Sequence, residues 1–250
     1  MGYTDLHTHS NFCDGAGTPE EMVTAAIERG ISRLGILTHS YVEFDKDYSL
    51  SPEREAEFIR EIARLKKIYS GRIEILCGVE EDYYATSVHP DYDYKIGSVH
   101  YFLIDGCYHS LDISRDDFIS MTESYFGGDY LAVCEEYYRL VADVIRKTQA
   151  DIIGHFDLIT KFNEGDCLFD SSHPRYIAAY RAAADALIPF GKPFEVNTGA
   201  ISRGYRTSPY PASDIIEYIK KKGGKLILSS DAHSKHTLAY KFEDFEGLLY

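Results

Sequence analysis

Tryptophan is absent from this 250-residue chain, and proline occurs only eight times. With no proline-rich or low-complexity stretch there is no candidate linker, so a single domain spanning residues 1–250 is expected. The five cysteines, at positions 13, 77, 107, 134 and 167, are odd in number and form no C-x-x-C pair. That argues against a disulfide framework or a zinc ribbon and leaves reduced, mostly structural thiols. Cys13 reads as a small residue near the first histidines rather than as a ligand. No run approaches the roughly 18 apolar residues needed to cross a bilayer, and the start, Met-Gly-Tyr-Thr-Asp, lacks the basic and apolar regions of a leader. A cytoplasmic protein is the expectation. Positive charge is also scarce: 26 Lys and Arg stand against 40 Asp and Glu, a formal charge of −14. Nucleic acid and anionic membranes require basic patches, so neither is expected as a partner. The one strong basic run, Lys220-Lys221-Lys222, reads as a solvated helix end.

What the chain does have is a steady alternation of short apolar runs and helical patterns, repeated about seven times, which points to an α/β fold. Strands are expected at Tyr3–His9, Arg33–His39, Ile73–Glu80, Tyr94–His100, Asp151–His155, Pro193–Thr198 and Lys225–Asp231. Their short apolar cores imply burial on both faces. Helices are expected at Pro19–Arg29, with Thr18 as N-cap and Glu21 completing a capping box, and at Pro52–Tyr69 behind Ser51. Gly30 and Gly71 supply stop signals. Asp129–Lys147 reads as one long amphipathic helix whose tyrosines are packing residues, followed by helices at Ser172–Leu187 and Ala212–Lys222.

Polar ligand types punctuate the ends of these runs: His7-Thr-His9, Asp14, His39, Glu80, His100, His155 and Asp231-Ala-His233. Strand ends converge in parallel α/β folds, so residues far apart in sequence can meet there. In His7-Thr-His9 the two rings share one side of a strand, with Asp5 on the same side as a candidate to orient a ligand imidazole. The same parity applies to Asp231 and His233. A histidine such as His100 or His155, taken alone, is more often a hydrogen-bonded core residue. Nine such groups buried together without a cation would be costly, so a multinuclear metal site is the better reading. Imidazole and carboxylate donors suit Zn, Fe or Mn. Two such ions roughly 3.5–4 Å apart can clamp the attacking and leaving oxygens of an in-line displacement, which suits phosphate-ester hydrolysis.

This ligand set resembles that of the PHP (polymerase and histidinol phosphatase) superfamily, with matching motifs from residue 5 to residue 234. The resemblance implies a distorted (βα)7 TIM-like barrel with a trinuclear centre, three divalent transition-metal ions, at the strand C-terminal ends. It places His7, His9, Glu80 and Asp231 on the first ion, and Glu80, as a bridge, with His100 and His155 on the second. Asp14, His39 and His233 fall on the third. Asn11-Phe-Cys-Asp14-Gly and Gly154-His155-Phe-Asp-Leu-Ile-Thr-Lys161 are similar to the monofunctional histidinol-phosphate phosphatases, which implies a free-standing enzyme hydrolysing L-histidinol phosphate in histidine biosynthesis.

The expected mechanism is attack on phosphorus by a metal-bridging hydroxide, with Glu80, Asp231 and His233 as the catalytic candidates and no serine or cysteine nucleophile. Arg203 and Lys161 each follow a strand and are candidates to bind the phosphate of a small-molecule monoester. Arg206 reads as a rim charge. Tyr41, Glu43 and Asp45 are weaker candidates to meet the rest of the substrate, and Glu195 and Asn197 to support ligands or touch substrate. His89, His109, His173 and His236 read as surface residues. Phosphotyrosine or nucleotide hydrolysis, and a metal-bound regulatory module without turnover, are the alternative readings. The sequence carries no signal for oligomeric state.

Overall fold

In the computed structural model, which describes residues 2–46, 48–86 and 92–249, the strands in chain order are β1 (Thr4–Asp5), β2 (Arg33–His39), β3 (Glu74–Asp82), β4 (Tyr94–Ser98), β5 (Tyr101–Ile104), β6 (Cys107–Ser110), β7 (Ile152–Ile153), β8 (Pro193–Asn197) and β9 (Lys225–Ser229). Seven of them form one parallel sheet in the order β1-β2-β3-β4-β7-β8-β9. Beyond the ends of β1 and β9 the sheet is joined by a parallel bridge between Thr8 and Ala232, in which His9 N–H donates to the Ala232 carbonyl at 2.8 Å. The result is a distorted (βα)7 barrel of the TIM type.

Inside the barrel, Leu6, Leu37, Tyr94, Ile96 and Ile152 pack into a floor. The Tyr94 hydroxyl donates to the Leu6 carbonyl in space that a side chain at position 35 would occupy, which is why Gly35 stands there. Asp5 does not orient an imidazole. Its carboxylate accepts from Ser230 N (3.1 Å), Ser230 Oγ (2.6 Å) and Ala239 N (2.9 Å), so it fastens the first strand to the last segment and closes the barrel.

The helices are α1 (Pro19–Glu28), α2 (Pro52–Ile68), α3 (Arg115–Phe126), α4 (Tyr130–Val141), α5 (Val144–Thr148), α6 (Pro174–Leu187), α7 (Gly199–Ser202), α8 (Ser213–Lys221) and α9 (Phe242–Phe245). α1 starts on the full capping box, Thr18 and Glu21 bonding reciprocally, and α2 on the Ser51 cap. Each such cap is worth about 1 kcal/mol. The expected single helix over Asp129–Lys147 is interrupted at Ala142 and Asp143. The bend lays α5 on β4, where Gly97 leaves the room that Val144, Thr148 and Ala150 fill. Its tyrosines pack as expected: Tyr137 and Tyr138 are buried, and the Tyr138 hydroxyl lies 3.0 Å from that of Tyr176 on α6.

Two elements between residues 101 and 126 have no counterpart in the expectation, the antiparallel hairpin β5–β6 and α3. The hairpin turns on Asp105-Gly106, both at positive φ (51° and 81°), the conformation that Asp-Gly favours between paired strands. α3 is capped by Ser114 and stopped by Gly127. The paired strands β1, β7 and β9 are shorter than expected, ending at Asp5, Ile153 and Ser229.

Candidate metal centre

His7, His100, His155 and Asp231 each sit two residues beyond the end of their strand, while His39 closes β2 and Glu80 lies near the end of β3. All converge on one mouth of the barrel. There a cavity of ≈ 200 Å³ is lined by Asp14, His39, Glu80, His100, His155, Asp231 and His233, together with Tyr48, Asp112, Ile113, Leu158, Lys161, Arg203 and Tyr205. His7 and His9, fully buried, back it through contacts with Glu80 and Asp231. The structure thus brings all nine expected ligand candidates together with both expected cations, Lys161 and Arg203.

Glu80 is the hub. Its Oε1 lies 2.9 Å from His155 Nε2 and 3.3 Å from His100 Nε2, and accepts from Ser98 Oγ at 2.7 Å. Its Oε2 faces His7 Nε2 at 3.2 Å, His39 Nδ1 at 3.3 Å and His9 Nε2 at 3.4 Å. One carboxylate therefore presents an oxygen to each of two imidazole groups. A third cluster gathers around Asp14, whose Oδ1 is 3.4 Å from His39 Nε2 and whose Oδ2 is 2.9 Å from His233 Nε2.

The donor chemistry fits divalent cations. His7 Nε2 and His9 Nε2 face each other at 3.2 Å, as do His100 Nε2 and His155 Nε2, and two imidazole nitrogens without a shared proton or cation repel. His39 Nε2 is buried with no hydrogen-bond partner. Among the described residues, four clusters of three or more such ligand atoms overlap here: His7-His9-Glu80, Glu80-His100-His155, His9-Asp231-His233 and His9-Cys13-Asp14-His39.

Partners behind the rings aim them. His7 Nδ1 lies 2.7 Å from Glu195 Oε1, whose other oxygen accepts the His155 backbone N–H at 2.9 Å. His100 Nδ1 lies 3.3 Å from Asp82. An Nδ1–H held by a carboxylate leaves Nε2 unprotonated for an ion, the arrangement typical of metal-bound histidine. Charges follow. Burial opposes ionisation of Glu80, but His7, His100 and His155 outweigh it and hold its pKa well below the ordinary carboxylate range. Burial likewise opposes the charge on His7, while Glu195, Glu80 and Asp231 raise its pKa well above normal. His9 goes the other way, lowered to about 3 by burial and by the neighbouring His233 and His39, so its ring is neutral.

Asp231 and His233 reach the centre by a different route from the one strand parity implies. β9 ends at Ser229, and Asp231 adopts φ 50°, a left-handed conformation that Asp tolerates better than most residues. The turn sends Asp231 Oδ1 toward His7 and His9 (3.6 Å each), while Arg203 Nη2 donates to Oδ2 at 2.8 Å. A side-chain carbon on Gly199 would sit 2.8 Å from that carboxylate, so glycine is required there.

A PHP domain model matches residues 5–199. The chain belongs to the PHP family. Among PHP relatives, a protein of Deinococcus radiodurans named probable histidinol-phosphatase is 30% identical, covering 97% of this chain and 91% of its own. The histidinol-phosphatase of Bacillus subtilis is 26% identical over 98% of both. Two solved structures share the fold. One, from Listeria monocytogenes, has a TM-score of 0.83 at 20% identity over 97% of this chain and 99% of its own. The other, a histidinol phosphate phosphatase from Lactococcus lactis solved with zinc, L-histidinol and phosphate, has a TM-score of 0.71 at 21% identity over 99% of this chain and 92% of its own. Metal binding is a property of this family, and the clusters above are the candidate ligand sets for it among the described residues of this chain.

Several sequence expectations change. Arg206 is no rim charge: its side chain is 9% exposed and pairs with the fully buried Asp157 at 3.5 Å, with Thr160 and Ser208 as further acceptors. Tyr41, Glu43 and Asp45 do not line the cavity, and Asp45 instead accepts from the Tyr101 hydroxyl at 2.8 Å. Tyr48, from the same loop, does line it, stacking on His39 with ring centroids 3.9 Å apart. His173 caps α6, its Nδ1 accepting from Arg175 N, and His109 is half-buried against Tyr125. His236 is exposed, and His89 lies outside the described residues. Cys13 Sγ lies 3.4 Å from His9 Nδ1, with its pKa pushed up to about 12 by burial and Asp14. Asp82, Ser98, Tyr48 and Asp112 were not anticipated. Only Asp82 had a local signal, standing two residues after Glu80 on the same strand face.

Proposed function

We propose that this PHP domain is a phosphomonoesterase that hydrolyses L-histidinol phosphate to L-histidinol and phosphate. The observation that carries it is the meeting, in one cavity, of the imidazole–carboxylate cluster with two cationic side chains, Lys161 and Arg203. The choice of ester is supported by the histidinol-phosphatase names of relatives that align over nearly the whole chain.

In this reading three divalent ions, Zn, Fe or Mn, would be held by His7, His9, Glu80 and Asp231, by Glu80, His100 and His155, and by Asp14, His39 and His233. Bound ions of this kind supply an activated water nucleophile and neutralise charge on the phosphoryl oxygens. The protein's own groups do the rest. Arg203 and Lys161 bind and orient the phosphate, Arg203 in a fork already fixed by Asp231. Glu195 and Asp82 keep the His7 and His100 rings in their ligating tautomers. Asp231 and His233, both on the cavity wall, are oriented by Arg203, which donates to Asp231 Oδ2 at 2.8 Å and lies 2.9 Å from His233 Nδ1. A cytoplasmic setting suits the five cysteines, all unpaired.

The test is phosphate release from L-histidinol phosphate beside phosphotyrosine and a nucleoside monophosphate, on enzyme whose bound metals have been quantified. Strong preference for histidinol phosphate is expected. Metal-loaded enzyme that prefers either other ester, or turns over none, overturns the reading.

A further inference from the structure

The cavity holds four carboxylates, Asp14, Glu80, Asp112 and Asp231. Three stand among imidazoles in candidate metal clusters, whereas Asp112 belongs to none of those found among the described residues. A carboxylate facing a site built for a phosphate dianion repels the substrate unless something cationic meets it. In the structure that cation is Lys161, whose Nζ lies 3.2 Å from Asp112 Oδ2 and donates to the Asp112 carbonyl at 2.6 Å. Ser110 Oγ, 3.2 Å from Oδ1, fixes the other oxygen, so the carboxylate is held in place without exhausting its lone pairs. Lys161 also lies 4.8 Å over the Tyr205 ring, on the cavity wall.

We propose that Asp112 is a specificity-determining residue that binds the ammonium group of the substrate's alcohol portion, making the enzyme selective for aminoalkyl phosphates. The proposal rests on the phosphatase reading above. A zwitterionic substrate, phosphate at one end and ammonium at the other, divides the resident pair: Lys161 turns to the phosphate and Asp112 to the ammonium, so no charge is left unmatched. An ester with a neutral alcohol satisfies only Lys161 and strands Asp112. That penalty excludes it. Asp112 lies at the end of the hairpin β5–β6 and just ahead of α3, the two elements added to the barrel, so the selectivity is carried by the insertion and not by the strand ends.

The test pairs an amine with its deaminated counterpart: L-histidinol phosphate against imidazolylpropyl phosphate, and phosphoethanolamine against ethyl phosphate. In Asp112→Asn, kcat/KM for the amine member should fall at least about tenfold, as expected for a charge-assisted hydrogen bond, while that for the deaminated member holds or rises. Asp112→Glu, which keeps the charge, should retain discrimination. Metal content and thermal midpoint of both variants are measured alongside, so misfolding is seen directly. Equal losses on both members would overturn the proposal and reduce Asp112 to a support for Lys161. If wild-type enzyme rejects histidinol phosphate, the function reading fails by itself. The phosphoethanolamine contrast then still decides Asp112: a loss confined to the amine sustains it, and a uniform loss overturns it.

Discussion

The metal cluster and the wall that faces it are built differently. The five rings that face Glu80 sit on a strand or within a few residues of its end, and His7, His9, His39, His100 and His155 are each less than 5% exposed. The facing wall comes from connections: Tyr48 after β2, Asp112 and Ile113 after the hairpin, Lys161 after β7 and Tyr205 after α7. Ile113 is 66% exposed and Tyr205 39%. Hydrogen-bonded parallel strands can hold several like-charged groups at 3–4 Å, where small displacements cost most. Loops can alter what lies opposite without disturbing them. On the proposed function, the half that would hold ions is built on the rigid strands and the half that would choose the ester on replaceable connections.

The hardest blow to that division is at its hub. Glu80→Ala removes the oxygens that face two imidazole groups and should abolish metal binding at both. Turnover should fall by at least about a thousandfold, since losing even one preorganised charge-stabilising group costs ~10²–10³. Elemental analysis of the purified variant, with circular dichroism to confirm the fold, checks it. Retained metal with retained turnover would mean that the hub lies elsewhere.

Arg206 tests whether the two halves are joined. Its buried pair with Asp157 ties the loop after α7 to the segment carrying His155 and Lys161. Arg206→Ala leaves the Asp157 carboxylate buried and unpaired, at a cost of about 3 kcal/mol, or a fall in thermal midpoint of roughly 6–12 °C. KM for the phosphate ester should rise as Arg203 and Lys161 lose their mutual placement, with metal content unchanged. A melting curve that does not move would show the pair to be energetically idle.

What the sequence made legible follows the same line. His39, Glu80, His100 and His155 were readable because each ends an apolar run, and burial of such residues has few explanations besides ligation. Thr18 with Glu21, and Ser51, were readable because capping is local. Arg206 was misread because its loop is rich in glycine and proline, while the carboxylate that buries it is 49 residues away. Asp112 was missed for a similar reason, its partner Lys161 also being 49 residues distant. The hairpin was overlooked although Asp105-Gly106 announces it, since no ligand type ends either strand to draw notice to the segment. Long-range pairing, not local propensity, separates what was read from what was missed.

Glu195 sharpens the comparison at intermediate cost. It does not line the cavity at the candidate centre, yet it holds His7 Nδ1 and the His155 backbone, two points of the cluster at once. Glu195→Gln keeps the shape and loses the charge, and metal affinity should drop by about 10–100-fold, the usual effect of removing a carboxylate behind a ligating histidine. Competition with a chelator measures this. Turnover at saturating metal should recover most of the wild-type rate, because the ligands themselves remain. Failure to recover would make Glu195 part of the chemistry and move it across the division.

Tyr48 gives the smallest expected effect and the finest test. It is a wall residue that touches a ligand, with its ring over His39 at 3.9 Å, and it belongs to a loop secured by Phe44 stacked on Tyr108 of β6. If the wall only shapes access to the ester, Tyr48→Ala should raise KM by about 2–10-fold, the worth of one aromatic contact, and leave kcat and bound metal where they were. If the stacked ring instead steadies His39 for the ion near Asp14, metal content falls and kcat with it, while Tyr48→Phe restores both. A pure KM change keeps rigid cluster and replaceable wall separate. A kcat change tied to metal loss shows that the loop after β2 belongs to both.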